Sequence, residues 1–361
     1  FLIVIILILI TSFFLGKNKL SSEVRIFLRL CSIFLLIYVA SSSLTFLNLA
    51  NPYFPLLAVC LSICLIFLIF KFDYFLIIPP ILVLIYKNYS VDFYGLKISL
   101  TDYRVLIDSV VYPILLLSST YIINKFFLKI NIKKQLDFKY LQYLSIFIMY
   151  FVHLGNYFYS GLKKMSLTND GGNLFSWLLH NETSNLITVT TITKHNPITL
   201  FFPSILSLDN FREPNFNQLV SIDEINLLIN ILTLIMQLGC IFFVTKHILN
   251  NFLILSFDIS HILIFLFSGI FFYKWIFLNL FFLIFFLKFK HYDVFVKKSL
   301  ILLVFTLLTS IKFFDVAPLA WYDGHFVKRN YLNVKFNDGK IYEMPKNIFL
   351  HLSITAEQGA L

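Results

Sequence analysis

Uncharged apolar runs long enough to cross a lipid bilayer recur along this chain. The run Tyr140–Leu162 holds 23 residues without a formal charge, and an α-helix needs about 20 apolar residues to cross roughly 30 Å of hydrocarbon. Hydrophobic residues make up 59% of the 361 residues, whereas charged residues make up 13%. Backbone polar groups find no water in hydrocarbon, so such runs fold as helices that pair these groups internally. The sequence therefore predicts an all-α polytopic membrane protein.

Ten segments are candidates for nine or ten crossings, and we assign residues 1–315 to one transmembrane helical bundle. The segment 74–87 is a weak candidate because Pro79-Pro80 interrupts it, and 275–287 is short for a crossing. The chain starts inside an apolar run without Met, so we expect both of its ends to be cuts in a longer frame. The ten candidates are 1–16, 27–50, 54–71, 74–87, 103–125, 139–162, 224–246, 251–273, 275–287 and 299–314.

The charges of the loops predict how the bundle is oriented. Lys17–Arg29, Lys125–Lys139 and Lys288–Lys298 carry net charges of +3, +4 and +3, whereas the long segment 165–222 carries −2. If all ten candidates cross, the three basic loops lie on one side, and the positive-inside rule makes that side cytoplasmic. We expect a multi-pass protein of the bacterial inner membrane. This placement also accounts for the net charge of +10 without a nucleic-acid partner.

Two parts of the chain are predicted to lie outside the membrane on the non-cytoplasmic side. The loop 165–222 is long for a compact protein, and such loops often cap or gate a site. In the tail 316–361, Tyr331–Phe336 alternates in polarity, Asn337–Lys340 has a turn composition, and Ile341–Met344 returns as a second strand. We therefore expect a short, truncated β appendage that offers a surface to a protein substrate or partner.

A polar stripe follows one face of the Tyr140–Leu162 helix and ends in an amine. An amine in a medium of low dielectric constant loses basicity, because desolvation disfavours its charged form, and it can then act as a base. The alternative is that Lys163 and Lys164 are interfacial anchors that extend to the lipid headgroups, as lysines at helix ends commonly do. The stripe, at steps of three and four residues, consists of His153, Asn156, Tyr157, Ser160 and Lys164.

A carboxylate and an imidazole lie within one later predicted crossing. Asp258 and His261 are three residues apart and so share a helix face. Ionisable residues inside a membrane helix usually face the bundle interior or water, where they can tune a base, bind a polar headgroup or relay a proton. The alternative is a buried, hydrogen-bonded pair that fixes helix packing.

No metal site is expected. The sequence has no HExxH, CxxC or glycine-rich phosphate-binding motif. Its four cysteines all fall inside predicted crossings, which favours free thiols over a disulfide framework. Cys60 and Cys64 are four residues apart in an apolar run, and we expect them to be core residues.

The run Tyr157–Met165 reads Tyr-Phe-Tyr-Ser-Gly-Leu-Lys-Lys-Met. It resembles a motif of the vitamin K-dependent γ-glutamyl carboxylase. It also resembles the bacterial proteins that share the horizontally transferred transmembrane (HTTM) domain of that enzyme. Two further stretches are similar to later family segments: Ser256–His261 to a His-containing helix, and Trp321–Asp323 with Val334–Lys340 to a Trp-initiated β segment. The resemblance covers roughly residues 100–350.

The resemblance implies that Lys164, the second lysine of the pair, is a base that deprotonates a quinol. Reduced vitamin K or another quinol would then be the lipid-soluble substrate, in a lyase or oxidoreductase reaction. With Lys164, the catalytic candidates are His153, Asp258 and His261, and the substrate-binding candidates are Asn156, Tyr157, Ser160 and Lys163.

Two other functions compete with this one. The first is a non-enzymatic lipid-binding or membrane assembly protein, in which the lysines are anchors and the tail is a docking surface. The second is a transporter with Asp258 and His261 along its path, although transporters commonly show internal repeats and this sequence shows none. Membrane lipids are expected partners in every case.

Overall fold

The computed structural model describes residues 20–45, 53–79, 138–166, 223–268, 272–313, 333–335 and 341–343. In these residues the chain forms seven α-helices, one 3₁₀ helix at Asp73–Ile77, and two short strands. The helices are α1 Ser22–Thr45, α2 Tyr53–Lys71, α3 Phe138–Ser166, α4 Asp223–Phe243, α5 His247–Ser268, α6 Tyr273–Lys288 and α7 Tyr292–Phe313. The strands are β1 Asn333–Lys335 and β2 Ile341–Glu343.

Every described α-helix coincides with a predicted crossing, so the helical fold class is confirmed for this part of the chain. Two of the helices, over His247–Leu266 and Tyr292–Phe313, are long and apolar enough to cross a membrane. Only 28% and 39% of their most apolar windows is buried inside the protein, so most of this apolar surface faces outward. The candidates 1–16 and 103–125 lie outside the described residues, and the total of nine or ten crossings stays a prediction.

Helices α1, α5 and α7 begin earlier than predicted, and the first turns of α1 and α7 include charged side chains. α1 begins at Ser22, and its Arg25 and Arg29 pair with Asp73 at N–O distances of 2.8 and 3.1 Å. α7 begins at Tyr292, which shortens the predicted loop 288–298 to three residues. Hydropathy marks where an apolar run ends, whereas a helix continues as long as its charged side chains reach water or a partner.

Helix α3 lies at the centre of the described bundle, against α1, α4 and α7, while α5 packs between α4 and α6. The core is strongly aromatic: Phe147 of α3 lies 5.3 Å from Phe286 and 4.6 Å from Phe295, measured between ring centroids. Phe282 and Phe285 of α6 are fully buried beside them. The high phenylalanine content of the sequence therefore has a structural use, which is to fill the space between α3, α6 and α7.

The described parts of two predicted basic segments, the start of α3 and the α6–α7 turn, lie at the same end of the bundle. The hydroxyl groups of Tyr140 and Ser299 are 2.9 Å apart, and the Tyr143 ring lies 4.5 Å from that of Phe289. At the same end the Tyr292 hydroxyl donates to the Val244 carbonyl at 2.9 Å. The first turn of α3, the α6–α7 turn and the α4–α5 turn therefore share one end, which we call the basic end.

Strands β1 and β2 pair antiparallel, with Val334 opposite Tyr342. Their register agrees with the hairpin predicted around Asn337–Lys340. The remainder of the tail 316–361 lies outside the described residues, as does the loop 165–222 apart from its first two residues. The β appendage as a whole, and its side of the membrane, stay predictions.

All four cysteines are free. Cys31 and Cys240 are buried, but Cys60 and Cys64 are exposed on α2. The expectation that Cys60 and Cys64 are core residues is therefore wrong. An apolar residue of a membrane helix is as stable against lipid as against protein, so an apolar run does not reveal which of its faces is inside.

Candidate functional site

A buried hydrogen-bonded cluster joins α3, α5 and α6, and Asn279 of α6 lies at its centre. The Asn279 Nδ2 group donates to Asp258 Oδ1 at 2.8 Å and to the Tyr157 hydroxyl at 3.1 Å. Its Oδ1 atom lies 2.7 Å from His153 Nε2. One amide thus uses both its donors and its acceptor on three side chains. We call Asn279, Asp258, Tyr157 and His153 the polar cluster.

The polar cluster is enclosed by aromatic rings. Tyr157 stacks on Phe257, with centroids 3.8 Å apart and planes 6° apart, and it lies 5.3 Å from Trp275. The His153 ring lies 5.1 Å from Trp275 on one side. His261 reaches the same wall, with its ring 5.9 Å from that of Tyr157. The rings exclude water from the cluster, and exclusion of water strengthens the hydrogen bonds inside it.

Four buried polar atoms beside the cluster have no hydrogen-bond partner: His153 Nδ1, Asn156 Oδ1, His261 Nδ1 and Trp275 Nε1. An unpaired buried polar atom costs about 1–3 kcal/mol, which natural proteins seldom leave uncompensated. Such atoms are normally satisfied by an ordered water or by a polar group of a ligand. Three of these atoms, on His153, His261 and Trp275, belong to rings that lie against one another, and they are therefore the part of this region best suited to hold a small polar group.

The polar cluster lies midway along the helices that carry it. Helix geometry places Asp258 about 16 Å from the start of α5 at His247, and Asn279 about 14 Å from the end of α6 at Lys288. Both helix ends belong to the basic end. In a bilayer with a hydrocarbon thickness of roughly 30 Å, a group at this depth would lie near the midplane.

The polar stripe predicted on α3 is a buried face. His153, Asn156, Ser160 and Lys164 are all buried, and the exposed fraction of Lys164 is only 7%. The neighbouring Lys163 is partly exposed. The Ser160 hydroxyl donates to the Asn156 carbonyl at 2.6 Å, so it is held along its own helix.

The structure brings some predicted site residues together and separates others. His153, Tyr157 and Asp258 meet in the polar cluster, and the prediction that Asp258 faces the bundle interior is confirmed. Asp258 pairs with Asn279, whereas the ring of His261 lies against Tyr157 and Trp275. Lys164 lies about 16 Å beyond His153 along α3, farther than a lysine side chain reaches. The lysine pair and the polar cluster are therefore two places on one helix face.

Gly161, in the motif that carries the lysines, packs directly against α4. A Cβ atom at Gly161 would lie 2.9 Å from Leu238 Cδ2 and 3.0 Å from Gln237 Cβ. Because real Cβ contacts are not this short, the absence of a side chain at Gly161 is what allows α3 and α4 to approach. The burial of this face of α3 by α4, one turn before Lys164, depends on this contact.

Sequence reasoning missed Asn279 and Trp275. Asn279 is the only strongly polar residue between Lys274 and Lys288, and a lone polar residue in an apolar membrane segment is a recognisable signal. Among the described residues, no group of three or more His, Cys, Asp or Glu side chains could hold a metal ion.

Comparison with known proteins gives no match: no protein-family model, no curated protein and no solved structure is similar to the chain.

Proposed function

We propose that this chain is a multi-pass membrane enzyme of the HTTM, vitamin K-dependent carboxylase-like type, with Lys164 as a base acting on a quinol or another lipid-soluble substrate. The observation that carries the proposal is the contrast between the two neighbouring lysines. Lys164 is buried, whereas Lys163 is partly exposed. A snorkelling anchor exposes its amine to the headgroups, whereas a lysine base needs a site shielded from water.

The surroundings of Lys164 support the same role. The hydroxyl of Ser160 lies one turn before it on the same buried face, and Gly161 brings α4 against that face. In the proposed reaction Lys164 accepts a proton from the quinol hydroxyl. The bound quinol would supply the oxygen-dependent chemistry that follows. The chain's own contribution is the base, the exclusion of water and the orientation of the ring.

Placement in the membrane is a separate part of the proposal. It is supported by the outward-facing apolar surfaces of α5 and α7 and by the position of the basic segments at one end, which the positive-inside rule would make cytoplasmic. Alkaline carbonate extraction of cell membranes tests this part alone. An integral protein stays in the pellet, and release into the supernatant would contradict the placement.

The catalytic role is tested with the full chain in proteoliposomes that contain reduced vitamin K. Oxygen-dependent loss of the quinol is measured for the unaltered chain, for Lys164→Arg and for the matched control Lys163→Arg. We expect Lys164→Arg to reduce the rate to that of empty vesicles, because a guanidinium keeps its charge and does not deprotonate. Lys163→Arg should retain the rate, because arginine keeps the positive charge that a substrate-binding Lys163 would supply. If Lys164→Arg is as active as Lys163→Arg, Lys164 is an anchor. If the unaltered chain is inactive, reduced vitamin K is not the substrate.

A further inference from the structure

A groove of about 380 Å³ opens at the basic end, between the α4–α5 turn and the first turns of α7. Its lining combines two lysines, Lys246 and Lys297, with the apolar side chains of Val294 and Leu300. Both lysines are exposed. The groove is far from Lys164, which lies at the opposite end of α3, and none of its residues takes part in the polar cluster.

The one acidic residue that lines the groove is already engaged. Asp293 Oδ1 accepts a hydrogen bond of 2.8 Å from the backbone nitrogen of His247, the first residue of α5. The carboxylate therefore caps the positive end of the α5 dipole from a neighbouring helix. Because the carboxylate of Asp293 is directed to the start of α5, the two lysines can bind an anion in the groove.

The apolar surface that continues from the groove runs along α7. Val294, Lys297 and Ile301 are spaced by three and four residues and so lie on one helix face. Val294 is 58% exposed and Ile301 is 89% exposed. Beside Lys246, Ile248 at the start of α5 is 81% exposed. Cationic side chains are thus followed by exposed aliphatic ones on both of the helices that are long and apolar enough to cross a membrane.

We infer that this groove is a binding site for an anionic phospholipid. Lys246 and Lys297 would bind the phosphate, and the acyl chains would follow the exposed aliphatic side chains of α5 and α7. A water-soluble anion would use the lysines but not the aliphatic surface, whereas an uncharged lipid would use only the surface. Basic pockets between membrane helices on the cytoplasmic side characteristically take such headgroups. The inference rests on the proposed membrane placement and is independent of any reaction at Lys164.

The test measures lipid retention by the full chain in detergent, using native mass spectrometry. Phosphatidylglycerol is compared with phosphatidylcholine, which has a similar size and no net charge. We expect phosphatidylglycerol to be retained preferentially, and the double variant Lys246→Ala/Lys297→Ala to bind it about twenty-fivefold more weakly, at about fivefold per lysine. Replacement of both lysines by Arg should preserve binding, which separates loss of charge from loss of folding.

Lys298→Ala is the matched control, because Lys298 is an exposed neighbour of Lys297 on α7 that does not line the groove. It should leave phosphatidylglycerol binding within twofold of the unaltered chain, roughly the effect of one remote surface charge.

Inorganic phosphate should not displace the lipid at equal concentration. Equal losses in Lys298→Ala and the double variant, equal retention of the two lipids, or full displacement by phosphate would each overturn the inference. Carbonate extraction reports separately on the membrane placement.

Discussion

Asn279 donates a hydrogen bond of 2.8 Å from Nδ2 to Oδ1 of Asp258 and thereby joins α6 to α5 near the middle of both helices. The same amide reaches His153 and Tyr157 on α3. Three helices are thus tied together through one side chain, in a region where the surrounding groups are aromatic and offer few alternative partners. An amide suits this position because it has both donors and an acceptor and carries no charge to desolvate.

The first prediction follows from this central position. Asn279→Leu keeps the approximate volume of the side chain and removes every hydrogen bond to the amide. Buried groups on Asp258, Tyr157 and His153 would each lose a partner, so we expect the free energy of unfolding to fall by about 3 kcal/mol or more. Thermal unfolding of the purified chain in detergent measures the change.

Ser256→Ala on α5 is the control for this substitution. The Ser256 hydroxyl donates only to the Phe252 carbonyl of its own helix, so its loss should change the free energy of unfolding by less than about 0.5 kcal/mol. If Asn279→Leu is as mild as Ser256→Ala, the polar cluster does not hold the three helices together.

The positions of the helices could be predicted from the sequence, but the centre of the polar cluster could not. Apolar runs give the helices because hydrocarbon and protein interiors both require paired backbones. The interior position of Asp258 also follows from the cost of a carboxylate in lipid. The partner of Asp258 depends on which helix packs beside α5, and periodicity within one helix contains no information about its neighbours. The sequence therefore offers His261 only as one alternative partner for Asp258, and Asn279 is the observed one.

The same limit explains the outward position of Cys60 and Cys64 and the close approach at Gly161. Hydropathy distinguishes polar faces from apolar ones, but it does not separate an apolar face in contact with lipid from one in contact with a helix. Gly161 belongs to the motif that carries the lysines, but its contact with Leu238 depends on which helix packs against α3.

The second prediction concerns that contact. Gly161→Ala places a Cβ atom 2.9 Å from Leu238 Cδ2 and 3.0 Å from Gln237 Cβ. The second of these atoms is fixed to the α4 backbone, so the helices must separate, and we expect a loss of about 1–3 kcal/mol in the free energy of unfolding. Denaturation in detergent measures it.

Gly239→Ala is the matched control for Gly161→Ala. Its Cβ atom would meet only the ring of Phe243 on the same helix, at 3.2 Å. That ring can rotate, and alanine favours the helical backbone by up to about 1 kcal/mol over glycine. We therefore expect unchanged or higher stability. A loss in Gly239→Ala as large as that in Gly161→Ala would contradict this account of the α3–α4 approach.

The third prediction is the side of the membrane on which each end of the bundle lies. Lys290→Cys, in the α6–α7 turn, should react with a membrane-impermeant maleimide only when the cytoplasmic side is opened. Asp338→Cys, between β1 and β2, should react in intact spheroplasts. The unaltered chain, with its four native cysteines, measures the background labelling. Equal labelling of both sites from one side would contradict the topology.

The last prediction separates the structural and chemical contributions of Asp258. Asp258→Asn keeps an oxygen that accepts from Asn279 Nδ2 but removes the ionisable group. We expect its free energy of unfolding to stay within about 1 kcal/mol of the unaltered chain and its rate of oxygen-dependent quinol loss to be retained, because the polar cluster lies about 16 Å from Lys164 along α3. Asp258→Leu is the comparison: it removes the hydrogen bond as well, leaves the Asn279 amide unsatisfied, and should reduce stability and activity together. If Asp258→Asn loses activity but keeps its stability, the carboxylate itself takes part in the reaction. If Asp258→Asn is as unstable as Asp258→Leu, the fold requires the carboxylate itself.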